Sequence, residues 1–333
     1  MISMKINKQT LSLLIIATVI ILFSGCRALD TKNTEIKRFE KDLFTLEQNS
    51  PEKIRELKEN YPDFFPVFCS EIIAIGPASS PQIHETLAQF VKDPVIKRIF
   101  EMTDSVYPDL NNYKNKIYVG LNNFNKMLDI SDTVQLISYI SGFNQSFVSI
   151  PGILGISLDN FLGAETEYYK HLAIPQYLRQ SMDPEHLSVN AVRAWILSEV
   201  REDPEMKTLL DHMIYEGKIL YLLQESLPKE KECNIFNYSQ EQLEWCLQYE
   251  ANMWEYIIEK ELLYSPDRIL ISRITREAPF VREFGQESPG RAGSWLGFRI
   301  VNSYMKKTGQ SASELINTID SRKILSESRY RPG

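Results

Sequence analysis

A single carboxylate lies within an apolar helical stretch, where it could hold a cation or transfer a proton. The apolar side chains of residues 212–221 fall on one face of a predicted helix, and Glu216 lies beside them. Gly217 costs this helix about 1 kcal/mol relative to alanine, which suggests close approach by another chain segment. From the spacing alone, an ordinary core helix with Glu216 at its edge is the alternative.

A second candidate is the segment 287–301, in which a Pro-Gly loop leads into a helix. Free amides at the helix start could hold an anion or a carboxylate. The alternative is a packing joint in which the glycines only make room. Trp295 and Phe298 share a face, so we expect Trp295 to be buried, whereas Arg291 could point into a cleft or pair with an acid such as Glu216.

Recognisable catalytic and metal-binding patterns are absent from the sequence. It has no H-E-x-x-H motif, no histidine pair at helical spacing, no G-x-S-x-G and no phosphate-binding glycine loop. A Ser-His-Asp triad stays open, because it is a spatial arrangement. We therefore assign no catalytic residue, no metal and no cofactor. The histidines are His84, His171, His186 and His212.

The N-terminus has the features of a secretory signal. Lys5 and Lys8 precede an apolar run at 11–23, which is too short for the roughly 20 residues that span a bilayer. Small residues and then Cys26 follow, in a pattern that resembles a lipobox. We predict lipidation of Cys26, which would anchor the chain to a membrane without spanning it.

These features divide the chain into a signal peptide at 1–25, a lipidated tether at 26–35 and a single domain at 36–333. The formal net charge of −7 becomes −9 without the signal peptide, which carries two lysines. An acidic protein favours neither nucleic acid nor an anionic membrane face, so the lipid should provide the attachment. No acidic run follows Cys26, which favours a periplasm-facing protein.

The three remaining cysteines allow at most one internal disulfide. Export would permit such a bond, but no zinc-finger spacing accompanies the cysteines. The simplest interpretation is that each is a small buried apolar residue. They are Cys69, Cys233 and Cys246.

Hydrophobic periodicity predicts a mainly helical domain. Apolar residues recur at helical spacing in 36–46 and 110–128, and the chain beyond about residue 184 is also helical. Residues 134–163 instead indicate two to four short strands, antiparallel because the links are short. The predicted fold class is α+β, mainly α-helical with one small antiparallel sheet. Helix starts are predicted at Ser50-Pro51 and at the capping boxes Ser239–Gln242 and Ser311–Glu314.

Several segments, taken in order, resemble the gliding-motility lipoprotein GldB family of Bacteroidetes, and the likeness covers nearly the whole mature chain. Membership implies a role in gliding or in the associated protein-secretion machinery. Besides the lipobox, the segments are RFEKDLF from Arg38, YPDFFPVF from Tyr61, ISLDNFLG from Ile156, MIYEGKILYL from Met213 and ESPGRAGSWLGFRIVNSYM from Glu287.

The same family is similar to gluzincin-type zinc proteases. In those enzymes an H-E-x-x-H helix precedes a helix whose Glu-Gly pair supplies the third metal ligand, and Glu216-Gly217 matches that pair. The preceding helix, at 189–200, contains no histidine, so two ligands and the general base are missing. The resemblance thus implies a degenerate gluzincin-like scaffold, a pseudo-peptidase that has kept its cleft.

The sequence therefore predicts a non-catalytic, lipid-anchored cell-envelope protein that binds envelope protein partners of the gliding or secretion machinery, without nucleic acid. We expect Glu216, Arg291, His212 and Tyr221 to line the cleft or contact the partner. Two alternatives stay open. One is a hydrolase or peptidase with an unrecognised constellation around Glu216, and the other is a solute-binding lipoprotein.

Overall fold

A computed structural model describes residues 35–48, 51–131 and 133–333. The predicted signal peptide, Cys26 and the proposed cap at Ser50 lie outside these residues. The contacts of the chain set Ile36–Gly333 apart as one unit. Within the described ranges, no helix combines the length and the apolar character needed to cross a membrane.

The described residues form one small sheet with the strand order β1-β2-β4-β3. Strands β1 and β4 both run parallel to β2, whereas β3 is antiparallel to β4. The predicted α+β class is confirmed, but the sheet is mixed rather than antiparallel. The strands are β1 (Lys37–Arg38), β2 (Gln135–Tyr139), β3 (Phe147–Ile150) and β4 (Ile153–Ser157).

The sheet is mixed rather than antiparallel because of the order of its strands. Pro151 and Gly152 join β3 to β4 in a tight hairpin, and Gly152 has the positive φ of 72° that such a turn favours. The short links do reverse the chain direction between successive strands. However, β4 inserts between β2 and β3, and there it must run parallel to β2. The length of the links therefore predicted the relative direction of successive strands, but not which strands are neighbours in the sheet.

Helices make up most of the rest of the domain. In chain order they are α1 (Phe39–Phe44), α2 (Pro51–Asn60), α3 (Phe64–Val67), α4 (Ile83–Lys92), α5 (Pro94–Val106), α6 (Asn111–Met127), α7 (Glu167–His171), α8 (Gln176–Arg179), α9 (Leu187–Glu199), α10 (Leu209–Ser226), α11 (Glu232–Phe236), α12 (Gln240–Gln248), α13 (Glu250–Glu259), α14 (Arg268–Thr275), α15 (Ala292–Thr308), α16 (Ala312–Asn317) and α17 (Ser321–Ser328).

The helix predictions agree with this structure. The predicted helix at 110–128 corresponds to α6. The one predicted at 36–46 corresponds to α1 with its following 3₁₀ turn, but its first residues were wrongly predicted, because Lys37–Arg38 form β1. Both predicted capping boxes form, with each serine accepting from a backbone amide and each partner side chain accepting in return. A third capping box, formed by Thr208 and Asp211, starts α10. The sequence pattern that identified the other two boxes has Glu or Gln three residues after the cap, so it does not include this aspartate.

The sheet separates two hydrophobic cores. Successive residues of β2 point to opposite faces, so Leu136 joins one core and Ile137 the other. One core is rich in aromatic residues from α1 and α3, such as Phe39 and Phe64. The other contains α6, α9, α10 and α15. Both central strands are therefore covered on both faces, which explains their nearly continuous apolar sequence.

Two glycines allow α10 and α15 to pack backbone against backbone. A Cβ added at Gly217 would overlap the backbone of Gly297 and lie 2.7 Å from the nitrogen of Phe298. A Cβ added at Gly297 would overlap the carbonyl of Met213. We call this contact the glycine joint. It confirms the close approach predicted at Gly217, and Trp295 beside it is 1% exposed, as predicted.

The cysteines of the described chain are free and buried. Cys69 and Cys246 are fully enclosed, and Cys233 is 8% exposed. Burial raises the pKa of both Cys69 and Cys246 to about 12, so these thiols stay protonated at neutral pH. Their interpretation as small apolar core residues is confirmed.

Candidate functional site

Four charged side chains meet where α9, α10 and the loop before α15 come together. Arg193 extends from α9, Glu216 from α10, Glu277 from the loop after α14, and Arg291 from the residue that precedes α15. Oε2 of Glu216 lies 3.2 Å from Nη2 of Arg193 and 3.7 Å from Nη2 of Arg291. Nη1 of Arg291 donates to Oε1 of Glu277 at 3.0 Å. We call this group the arginine–glutamate cluster.

The loop before α15 holds Arg291 in an unusual backbone conformation. Arg291 has a positive φ of 58°, in the left-handed region that non-glycine residues seldom adopt. The hydroxyl of Tyr238 donates to the carbonyl of Gly290 at 2.8 Å. A Cβ on Gly290 would overlap the backbone oxygen of Ala278. Close packing on both sides therefore fixes the loop and points Arg291 at Glu216.

Burial and the neighbouring charges shift the pKa values of the two arginines of this cluster in opposite directions. The side chains of Arg193 and Arg291 are 14% and 5% exposed, against 24% for Glu216 and 47% for Glu277. Burial, reinforced by the nearby Arg291, lowers the pKa of Arg193 to about 10. Burial also acts against the charge of Arg291, but the carboxylates of Glu277 and Glu216 outweigh it and raise its pKa. Both arginines therefore stay cationic at neutral pH.

A cavity of about 270 Å³ lies beside the cluster. Arg193 and Glu277 form its charged side, and Asn190 and Asn237 add polar groups. The amide of Asn237 donates to Oδ1 of Asn190 at 3.1 Å. Oδ1 of Asn237, in contrast, is buried and has no hydrogen-bond partner among the described residues. The apolar lining includes Phe147, Phe161, Met182, Ala194 and Leu197.

The structure brings two of the predicted site residues together. Arg291 pairs with Glu216, one of the two arrangements that the sequence allowed. His212 and Tyr221 are half-buried on α10, and neither side chain makes a hydrogen bond or ion pair with the described part of the chain. The geometry thus supports the pair Glu216 and Arg291 more strongly than the other two residues.

Sequence reasoning missed the other half of the cluster. Arg193 is the only charged residue in the otherwise mostly apolar segment 187–198, and that pattern could have indicated a buried partner on the next helix. Glu277 offered no comparable signal. It lies in an irregular loop, and only the folded chain places it near Arg291.

The residues around Glu216 do not fit a zinc ion. Two guanidinium groups face its carboxylate, and α9 offers no imidazole. Within the described ranges, no group of three or more histidine, cysteine, aspartate or glutamate side chains is arranged to hold a metal. The cluster is instead a set of ion pairs in which two positive and two negative charges balance.

Two other buried acids fix the backbone near the sheet. Oε2 of Glu40 accepts a hydrogen bond from Ser138 in β2 at 2.8 Å, and Glu40 also pairs with Arg38. Asp159 accepts from the amide of Phe143 at 2.8 Å and so orders the loop after β2. Burial raises the pKa of both carboxyl groups. These contacts explain Glu40 of RFEKDLF and Asp159 of ISLDNFLG as parts of the scaffold.

The fold and the cluster together define a mainly helical α+β protein whose central polar site consists of ion pairs. The chain belongs to the gliding motility protein GldB family, whose sequence model matches residues 27–332. Membership places it in gliding motility and among lipoproteins of the cell envelope. No curated protein and no solved structure matches the chain.

Proposed function

We propose that this protein is a non-catalytic, lipid-anchored component of the gliding machinery or of its associated protein-secretion machinery. It acts by holding a protein partner at the cavity beside the arginine–glutamate cluster. The observation that carries this proposal is the pairing of Glu216 with Arg193 and Arg291, because a carboxylate neutralised by two guanidinium groups is a poor general base. The resemblance to gluzincin-type proteases supports the same conclusion, because the histidines that bind zinc in those enzymes are missing from the corresponding helix of this chain.

The cavity lining fits a segment of polypeptide. The backbone of a partner could hydrogen-bond with the hydroxyl groups of Ser146 and Ser181, which are partly exposed and line this cavity. The partner's apolar side chains could pack on Phe147 and Leu197, which line the same cavity. In this proposal Arg193 and Glu277 supply charges that select the partner.

Replacing Cys26 by alanine should release the protein from the membrane fraction or stall its processing, because the lipid is the proposed anchor. Metabolic labelling with a palmitate analogue and membrane fractionation of the native host measure both effects. Cys69→Ala is the control, since that thiol is buried in the domain and should leave labelling unchanged. Normal labelling and membrane retention of the Cys26 variant would refute the lipid anchor.

Filling the cavity tests partner binding. Ala194→Trp places a large ring in the cavity from α9, so gliding or secretion should fall to the level of a deletion strain. Crosslinked envelope proteins should disappear in the same variant. Glu199→Ala removes an exposed side chain of the same helix and should restore the deletion strain fully.

Two outcomes would contradict the proposed function. One is full complementation by Ala194→Trp in a variant that accumulates and localises normally. The other is peptide hydrolysis by the purified wild-type protein that is lost in Glu216→Gln. That second result would favour a hydrolase built around Glu216.

A further inference from the structure

A small cavity of about 180 Å³ is lined by residues of α12, α13 and the loop before α15. It is smaller than the roughly 300–1,000 Å³ of pockets that enclose a whole drug-sized ligand, so it suits a single chemical group. Among the described residues that line it, Glu283 alone carries a charge. Most of the lining is aromatic and consists of Trp245, Tyr249, Tyr256 and Phe284.

The four aromatic rings form two pairs. The rings of Trp245 and Tyr249 have centroids 4.8 Å apart and an interplanar angle of 33°. Those of Tyr256 and Phe284 have centroids 6.1 Å apart and are nearly perpendicular, at 87°. All four residues are half-buried, so part of each side chain is accessible. Rings in several orientations therefore line one small space, which we call the aromatic cage.

Aromatic rings attract cations, because the face of each ring is electron-rich. Elsewhere in this protein its own side chains use that attraction: Arg299 lies over the ring of Trp295, and Arg322 lies over the ring of Tyr264. Within the described residues, no lysine or arginine lies over a ring of the aromatic cage. The cage therefore has the walls of a cation site without a cation of the protein against them.

The two helices that form the cage are acidic. Together α12 and α13 contain five glutamates and no lysine, arginine or histidine. Glu250 pairs with Arg299, and the other four make no ion pair with the described residues. Glu283 is balanced by Arg273, which does not line the cage but lines a separate cavity with Arg282. The net charge of the two helices is thus negative, which attracts cations and repels anions.

The carboxylate of the cage favours a cation without N–H donors. Oε1 of Glu283 lies 2.8 Å from Nη2 of Arg273, and Oε2 is buried with no hydrogen-bond partner among the described residues. Neither oxygen is therefore open to a donor of a ligand, whereas a primary ammonium brings three donors that need acceptors. A quaternary ammonium brings none and binds aromatic faces through its charge. We propose that the aromatic cage binds a quaternary ammonium group, with the rest of the ligand extending from the cavity.

The test is isothermal titration calorimetry of the purified full-length protein at pH 7. Choline should bind, and its neutral isostere 3,3-dimethylbutan-1-ol should bind at least about fivefold more weakly, because it lacks the charge that the rings attract. This comparison uses the wild type alone, so it does not depend on how any variant folds.

A second probe distinguishes two sources of the same group. Glycerophosphocholine carries the quaternary ammonium as a lipid head group does, with a phosphate beside it. Tighter binding of choline would indicate a free small molecule as the ligand. Tighter binding of glycerophosphocholine would indicate a lipid head group. Both results support a quaternary ammonium site.

Variants of the cage locate the binding. Trp245→Leu and Tyr256→Leu each remove an aromatic face and keep an apolar side chain, so each should weaken choline binding at least about fivefold. Trp254→Leu is the matched control, because Trp254 is also half-buried on α13 but packs on Tyr330 and does not line the cage. It should bind choline as the wild type does.

Three results would overturn the proposal. They are absence of choline binding at millimolar concentrations, equal binding of choline and its neutral isostere, and wild-type affinity in both cage variants. None of these outcomes bears on the partner proposed at the arginine–glutamate cluster.

Discussion

Gly297→Ala is expected to lower the free energy of unfolding by more than about 4 kcal/mol, a large part of the roughly 5–15 kcal/mol that stabilises a typical domain. In an ordinary helix the same change stabilises by up to about 1 kcal/mol. Here the new methyl group would overlap the carbonyl of Met213, which belongs to the backbone of α10 and cannot rotate away. The two helices must then separate, which opens voids along a packed interface.

Urea denaturation followed by circular dichroism measures this effect. Lys306→Ala on the same helix changes an exposed residue and should leave the midpoint nearly unchanged. Gly120→Ala is an intermediate control, because its methyl group would meet side chains of Val192 and Leu227 rather than backbone. If Gly297→Ala unfolded at the same urea concentration as Lys306→Ala, the glycine joint would not be as tight as described.

Arg291→Met should lower the free energy of unfolding by about 3–5 kcal/mol, as expected when one partner of a buried ion pair is removed. Methionine keeps much of the apolar stem, so the loss reports mainly the charge. Glu277 then loses its partner, and Glu216 keeps only Arg193. Glu277→Gln should cost less than about 1 kcal/mol, because its side chain is 47% exposed and its charge is screened by solvent.

A double-mutant cycle distinguishes a charge effect from a packing effect. Glu216→Gln alone leaves two buried arginines with one carboxylate, whereas the double variant with Arg291→Met restores charge balance. The combined loss should therefore be smaller than the sum of the single losses by at least about 1 kcal/mol. Losses that add to within about 0.5 kcal/mol would mean that the cluster is not electrostatically coupled.

The sequence predicted the local structure well, because helix periodicity and capping boxes depend on residues close together in the chain. Ser239 and Ser311 cap their helices as their partners three residues later indicated. Gly217 was correctly interpreted as a site of close approach, although the sequence could not identify Gly297 as the group it meets.

The parts that sequence reasoning missed depend on contacts between distant segments. The position of β4 between β2 and β3 is a matter of which strands pair, and no link length encodes that choice. Glu277 reaches Arg291 only because the loop from α14 to α15 folds back. Lys218 is buried, and its Nζ donates to the carbonyl oxygen of Thr318, which is 100 residues away in the chain.

The glycine joint also determines when folding can be completed. It joins positions 217 and 297, so the packing of α10 against α15 cannot form until the chain through α15 has been made. The aromatic core around α1 and α3, in contrast, draws most of its residues from the first 100 positions. Contacts between residues so far apart in the chain form slowly, because the conformational entropy of the intervening loop is lost before the contact contributes any stabilisation. Until α15 docks, the apolar face of α10 is open to solvent, so an interrupted or truncated chain would present aggregation-prone surface to the chaperones and proteases that it meets.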